Sequence, residues 1–209
     1  MKRKKIVIIS ISMFVCVLLV SVGVTLAYLT DNREKENTVT VGYDSIEIVE
    51  DFSTPAKQTQ TTTYKKEVKI ANNGNVPCYV RVYVDFSDTK IRDCSYFSNS
   101  ADINDEDSYF SAKRDTTDSG NYVSNLPDGW KFIPDNDSNT KLAGYYYYNT
   151  AIPPGESTPS LFTYVKTSYD DVDEIQQYDI IVYAESVQIV GESGEVIEDY
   201  TAAWKEFLD

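Results

Sequence analysis

The sequence predicts an all-β protein: a two-sheet antiparallel β-sandwich of jelly-roll-like form, with a short C-terminal helix and an N-terminal signal or transmembrane helix. Three observations predict it. Apolar residues recur at every second position in run after run, the period of a half-buried strand. The runs are short and separated by clusters of Asn, Gly, Pro and Ser, so eight or nine strands fit one domain of two packed sheets. At the ends the pattern changes, where an uncharged run opens the chain and helical spacing closes it.

The elements follow in order. Val39 and Val41, then Ile46 and Ile48, alternate with polar residues, so residues 38–50 read as two short strands divided by Gly42. "TPAKQTQTTT" is a loop. "YKKEVKIANN" alternates again, with Val68 and Ile70 on one face, and "CYVRVYVDF" puts Val80, Val82 and Val84 on one face. Between them lies Asn73-Gly74, a pair that tolerates positive φ, so the two strands read as an antiparallel hairpin. Residues 87–127 are rich in Ser, Asp and Asn without a sustained period. They read as an irregular acidic insertion holding one or two short edge strands. "GWKFIP", "GYYYYNT" and "PSLFTYVKTS" read as strands, and the two prolines of "IPPGEST" mark a turn. "YDIIVYAESVQIV" is apolar on both parities, as expected of a strand in the middle of a sheet. In "EVIEDYTAAWKEFLD", Ile197, Tyr200, Trp204, Phe207 and Leu208 fall at helical spacing, an amphipathic helix laid on the sandwich.

The N-terminus sets the compartment. Lys2, Arg3, Lys4 and Lys5 precede a run from Ile6 to Ala27 without a charge. As a helix that run is roughly 33 Å long, enough to cross a hydrocarbon core of ~30 Å. The flanking cations orient the N-terminus inward, so the rest is exported. Two readings stand for residues 1–27. They are a retained signal anchor, favoured by length, or a signal peptide cut between Ala27 and Tyr28, favoured by the small Thr25 and Ala27 at −3 and −1. Residues 28–209 then form a single exported β-sandwich domain, secreted or at the cell surface, and tethered to the membrane through residues 6–27 if uncut.

Composition narrows the chemistry. The chain has no histidine, which excludes a Ser-His-Asp or Cys-His site and the HExxH zinc motif. Asp118-Ser119-Gly120 resembles an aspartic-protease triplet, but Thr116-Thr117 stand where an apolar strand belongs, and an Asx turn accounts for it. No enzyme activity is expected. The net charge is −14, and without the four N-terminal cations it is −18, which disfavours nucleic acid as a partner. No cofactor is indicated beyond weak calcium binding. Asp135 to Asn139 resemble the start of an EF-hand loop, but Thr140 replaces its Gly and Tyr146 its Glu, and the segment from Asp102 fails at the glycine too. Cys78 and Cys94 lie in the exported part, where a disulfide between them would close a 16-residue loop and add ~3 kcal/mol. Tyr145, Tyr146, Tyr147 and Tyr148 place two rings on each face of one strand. Two readings stand for the outward rings: a surface that stacks on sugars or on a neighbouring subunit, or cross-strand packing with a cation–π contact to Arg81.

The junction "TLAYLTDNREKENTVTVGYDSIEI" resembles the signal-and-mature boundary of the TasA/camelysin group of Gram-positive bacteria. The likeness rests on Thr25, Leu26, Ala27, Tyr28, Thr30, Asp31, Asn37, Thr38, Val41 and Gly42. "KEVKIANNGNVPCYVRVYV" is similar to a second block of the group, and "GYYYYNTAIPPGESTPSLF" and "YDIIVYAESVQ" with an Ala-Ala-Trp helix to its C-terminal pattern. The resemblance implies a jelly-roll-like fold, cleavage by a dedicated signal peptidase and a structural role in a biofilm matrix. It also implies fibre growth by donor-strand addition, a subunit pairing with itself as a homopolymer or with related matrix proteins. On this chain the donor strand would be Asn37, Thr38, Val39, Thr40 and Val41. Camelysin's peptidase activity is not carried over, for want of a histidine ligand. A cell-surface adhesin or carbohydrate-binding module is the alternative function.

Intact-mass analysis of the protein from its native host is expected to find a chain beginning at Tyr28. A mass that retains residues 1–27 decides for the anchor.

Overall fold

A computed structural model describes residues 42–55, 57–100, 102, 104–114, 125–135, 141–191 and 194–208. They fold into two antiparallel sheets. The first holds β1 (Ile46–Phe52), β2 (Thr61–Asn72), β8 (Phe162–Ser168), β4 (Ser95–Ser98) and β5 (Tyr109–Ser111), in the order β1-β2-β8-β4-β5. The second holds β6 (Trp130–Ile133), β7 (Tyr145–Ile152), β3 (Cys78–Phe86) and β9 (Ile180–Gln188), in the order β6-β7-β3-β9. A five-residue helix, α1 (Thr89–Asp93), follows β3, and α2 (Tyr200–Leu208) follows β9. This is the expected all-β sandwich with its C-terminal helix.

Alternation builds the core. Val68 and Ile70 of β2 are fully buried, as are Val80 and Val82 of β3. Phe97 of β4 lies against Phe162 at 4.3 Å between ring centroids, Phe110 at 5.6 Å and Phe86 at 6.0 Å. Each such ring contributes about 1.5–3 kcal/mol by leaving water.

The β2–β3 hairpin is not formed. β2 pairs with β1 and β8, β3 with β7 and β9, and the connection between them crosses from one sheet to the other. Alternation gives both strands an inward apolar face, and that is satisfied as well by stacking two strands across a core as by pairing them side by side. Asn72 holds the crossing. It is fully buried, its Nδ2 donates to Val76 O at 2.8 Å and Ile152 O at 2.9 Å, and its Oδ1 accepts from Gly74 N at 2.9 Å. The turn's other backbone donors go to the chain before β1: Asn73 N to Ser45 O and Asn75 N to Tyr43 O. Gly74 does not use positive φ, contrary to expectation. It is required by close approach, since a Cβ there would stand 2.6 Å from Tyr43 O and 2.8 Å from Ser45 N.

Residues 87–127 are less of an insertion than their composition suggests. Asp88 caps α1 by accepting from Lys90 N, and Ile91 is buried. β4 lies inside its sheet between β8 and β5, and Phe97, Phe110 and Ala112 belong to the core. Strands of four and three residues are too short to show a period. Another correction concerns β9, which is an edge strand among the described residues and not a central one. Its second apolar parity faces outward, with Ile181 and Tyr183 half exposed. On α2, Ala203 and Trp204 are buried, Trp204 against Tyr147 of β7, Asp199 caps the helix by accepting from Ala202 N, and Phe207 stays largely exposed with its ring edge-on to Trp204 despite its helical spacing. Ile197 precedes the helix.

Replacing Asn72 by Ala leaves Val76 O, Ile152 O and Gly74 N without their partner and is expected to destabilise the fold by about 2–4 kcal/mol, read by urea denaturation. A loss under ~0.5 kcal/mol, the size of a change at an ordinary surface position, contradicts the role given to it.

Candidate functional site: the open side of the sandwich

Among the described residues, β1 and β9 are the outer strands of their sheets on the same side of the sandwich. They are long edges, seven and nine residues, whereas the edges on the opposite side, β5 and β6, have three and four. An edge strand carries a row of N–H and C=O groups without a ladder partner, and proteins commonly blunt such rows by keeping edge strands short. The long pair is therefore the exception to be explained.

A groove of about 550 Å3 runs between the two, lined by Glu47, Ile48, Val49, Glu50, Ile180 and Val182. Ile48, Ile180 and Val182 pack against the core, so the floor is apolar, while the two glutamates form the β1 lip. At one end Asp44 ties the sheets together, accepting from Ser186 Oγ at 2.6 Å and Gln188 Nε2 at 3.3 Å. At the other end the groove meets a recess of about 400 Å3 whose lining includes Phe52, Pro55, Tyr64, Lys66 and Tyr178. Lys66 is buried along its stem and pairs with Glu50 at 2.9 Å, and its Nζ lies 5.4 Å from the Phe52 ring centroid. The Tyr64 and Tyr178 hydroxyls lie 2.9 Å apart, and Thr167 Oγ1 lies 2.9 Å from Tyr178. Burial, reinforced by the neighbouring phenol, pushes the Tyr64 hydroxyl far above its usual range, and burial raises Tyr178 too. Both stay neutral at any physiological pH and serve as packing with hydrogen bonds, not as proton carriers.

The opposite side is closed. Arg114, buried just after β5, donates to Val84 O and Gly144 O and forms a bidentate pair with Asp135, each contact at 3.0 Å. Trp130 Nε1 of β6 donates to Pro159 O, and Asn125 Nδ2 donates to Asp107 O and Tyr109 O. Side chains thus stitch the two sheets along the short-edged side, whereas on the long-edged side Asp44 ties them at one end of the groove and Ile48, Ile180 and Val182 floor the space between the edges.

The β1–β2 ladder runs on beyond β1. Asn73 N donates to Ser45 O at 2.7 Å, Asn75 N to Tyr43 O at 3.0 Å, and Tyr43 N to Asn75 Oδ1 at 2.7 Å. Gly42 reaches the end of the sandwich beside Val76, where a Cβ would meet Val76 Cγ1 at 2.6 Å. Tyr43 and Ser45 are thus held through their backbone to the crossing between β2 and β3.

Ala27, Tyr28 and the segment Asn37–Val41 lie outside the described residues, as do residues 6–27 and Asp118-Ser119-Gly120. No helix of the described residues is long and apolar enough to cross a membrane. The disulfide is not formed: Cys78 and Cys94 are free thiols. Cys78 begins β3 and Cys94 follows the helix beyond its far end, so roughly 26 Å of strand from Cys78 to Phe86 separates the two regions. The tyrosine run is not an open surface. Tyr146 is buried in the main core and Tyr148 packs on Trp130, while Tyr147 is buried beneath α2 against Trp204. Tyr145 is half-buried, with the Arg81 guanidinium 4.0 Å from its ring centroid, the cation–π contact that the sequence suggested. Asp135, first of the EF-hand-like run, is held by Arg114, and among the described residues no three His, Cys, Asp or Glu side chains converge on a metal position. The open side itself escaped sequence reasoning. Its available signal was Ile180 and Val182 alternating with Ile181 and Tyr183, which marks a strand with both faces in use but not its place at an edge.

Burial, with Asp44 nearby, pushes the Cys78 thiol up to about 12, and burial raises Cys94 as well. In a chain that starts at Tyr28, and so lacks Cys16, a thiol reagent at pH 8 is expected to label Cys94 slowly and Cys78 only on unfolding. At that pH about one Cys78 thiol in ten thousand is ionised. No protein-family model matches the chain, and comparison with curated proteins finds no match.

Proposed function

We infer that this chain is an exported structural protein of the cell surface or biofilm matrix. In this reading it is a fibre subunit whose residues 37–41 complete the open side of the next copy by donor-strand addition. One observation carries the reading: two long edges flank an apolar-floored groove on one side of the sandwich, while the other side is stitched shut. A strand placed there gains backbone hydrogen bonds from an edge and buries alternate side chains on Ile48, Ile180 and Val182. Asn37–Val41 is such a strand, with Val39 and Val41 on one parity. Five residues span about 17 Å, within the ~23 Å of β1.

The reading takes donation to run between copies, the donor of one subunit entering the groove of the next. Residues 43 and 45 are held by 73 and 75, which fixes the chain at the point where the donor segment joins the sandwich. The charged segment "DNREKEN" before the donor suits a solvated tether. While residues 6–27 are attached, that tether is bound to the membrane; cleavage after Ala27 by a signal peptidase frees it. The resemblance to the TasA/camelysin group points the same way. Among the described residues the groove's edges have no ladder partner on their outer side and its floor is apolar, which supports strand pairing as its chemistry.

Electron microscopy of the chain starting at Tyr28 is expected to find filaments, and of the chain starting at Tyr43 dispersed monomers. Val182→Arg, on the groove side of β9, is expected to abolish filaments, and Tyr183→Arg, on the other face, to leave them. Equal assembly by the two truncations contradicts the donor role.

A further inference from the structure

The outer face of the second sheet carries a row of three tyrosines that the assembly reading does not use. Tyr83 of β3 stands directly opposite Tyr183 of β9 in the ladder, and its ring lies 5.7 Å from that of Tyr145 on β7. Three adjacent strands thus present one ring each, at a strand spacing of about 4.8 Å. Tyr183 is 51% exposed and its neighbour Ile181 50%, with Tyr83 and Tyr145 half-buried beside them. α2 covers the adjacent row, where Trp204 packs on Tyr147 and Arg81; Tyr145 borders that cluster and stays half-buried, while Tyr183 lies clear of it.

The charges around the row select its ligand. The Arg81 guanidinium lies 4.0 Å from the Tyr145 ring centroid and that of Arg114 lies 4.0 Å from Tyr83, so two of the three rings already bear a cation on one face. A second cation on the other face meets a depleted quadrupole and a like charge. The carboxylates are committed as well. Glu185 accepts from Arg81 and from the Tyr183 hydroxyl, and Asp85 accepts from the Tyr83 hydroxyl and the Phe86 N–H, with Arg92 at 3.7 Å. The patch is therefore locally balanced. An acidic polymer would also meet the chain's net charge of −14. What remains is a neutral ligand with C–H faces to lay on rings and hydroxyls to donate to the lone pairs that Glu185 and Asp85 keep beyond these bonds. The Tyr83 and Tyr145 rings are inclined at 61°, so they do not make a flat plane for a crystalline surface. They suit a single chain whose own rings turn from one unit to the next.

We propose that Tyr83, Tyr145, Tyr183 and Ile181 form a binding platform for a single soluble chain of a neutral polysaccharide. It is independent of the assembly reading, since it lies on the face of β9 opposite the groove.

The test is native affinity electrophoresis of the full-length protein in detergent, in gels cast with hydroxyethylcellulose as the neutral probe and alginate as the acidic one. A pull-down on microcrystalline cellulose is run beside it. Retardation is expected in hydroxyethylcellulose alone. Tyr183→Ala should raise the apparent dissociation constant about tenfold, the size of one lost aromatic contact. Tyr183→Phe, which keeps the ring, should stay within about twofold of the parent, and Phe207→Ala, an exposed ring elsewhere, should change nothing. The platform is overturned by absence of retardation in hydroxyethylcellulose, by unchanged retardation of Tyr183→Ala, by equal loss in Phe207→Ala, or by binding confined to alginate or to crystalline cellulose.

Discussion

Asn72 is where the chain changes sheets, and the open side of the molecule follows from it. Its amide replaces the hydrogen bonds that a hairpin would have supplied, holding Val76 O and Ile152 O with one end and Gly74 N with the other. β2 and β3 are thereby stacked across the core instead of paired within a sheet. Each still needs neighbours, and each takes one on the same side: β1 beside β2, β9 beside β3. Had β2 and β3 formed a hairpin, β1 and β9 would have belonged to a single sheet. Stacking leaves both as edges with a groove between them. A buried amide with three partners is a strong constraint because each partner would otherwise be an unsatisfied polar group in the core.

Much of this was readable from residues alone, and what was not has a common cause. Val68-Ile70, Val80-Val82-Val84 and the aromatic run at 145–148 announced strands because a half-buried strand imposes a period of two on its own residues. Trp204 announced a helix face for the same reason. Neighbours impose nothing comparable. The same alternation fits a strand that pairs with its sequence neighbour and one that packs over it, so the β2–β3 hairpin was the natural expectation and was wrong. β9 looked central because both its parities are apolar; in fact one parity faces the core and the other carries Ile181 and Tyr183 on the outer face. In residues 87–127 the acidic, serine-rich composition concealed Phe97 and Phe110, since a strand of three or four residues completes too few periods to be seen. The candidate site was hidden most completely, because an edge is defined by the absence of a partner, and no residue pattern encodes that absence.

The unused edges carry a liability that the molecule manages unevenly. On the closed side, short strands and the guanidinium of Arg114 leave little backbone to offer. On the open side the protections are partial. Glu47 and Glu50 stand on the β1 lip, and Lys65 and Lys66 pair with Asp51 and Glu50 across the β1–β2 ladder. These charges keep a second flat edge from docking freely, because a carboxylate on the lip must be desolvated when another sheet approaches. A slender strand entering between the two edges leaves the lip carboxylates in water. In the donor-strand reading, the charge pattern would discriminate against edge-to-edge aggregation and admit a single inserted strand. The chain's net charge of −14 works in the same direction, since whole-body contact between copies is repelled, whereas insertion of one short segment would carry a modest electrostatic cost.

β9 then joins two surfaces that need not interfere. Successive side chains of a strand point to opposite faces, so Val182 belongs to the groove and Tyr183 to the tyrosine row, although they are adjacent in the chain. A strand that fills the groove hydrogen-bonds in the plane of the sheet and leaves the outer face as it was. Each copy added to a fibre would therefore display another tyrosine row. Weak contacts of each row with a polysaccharide would act together along the fibre, since tethered sites bind at a high effective concentration. That relation gives a physical reason for a matrix subunit to keep exposed rings on one strand. A monomer gains little from one weak platform, whereas a polymer multiplies it.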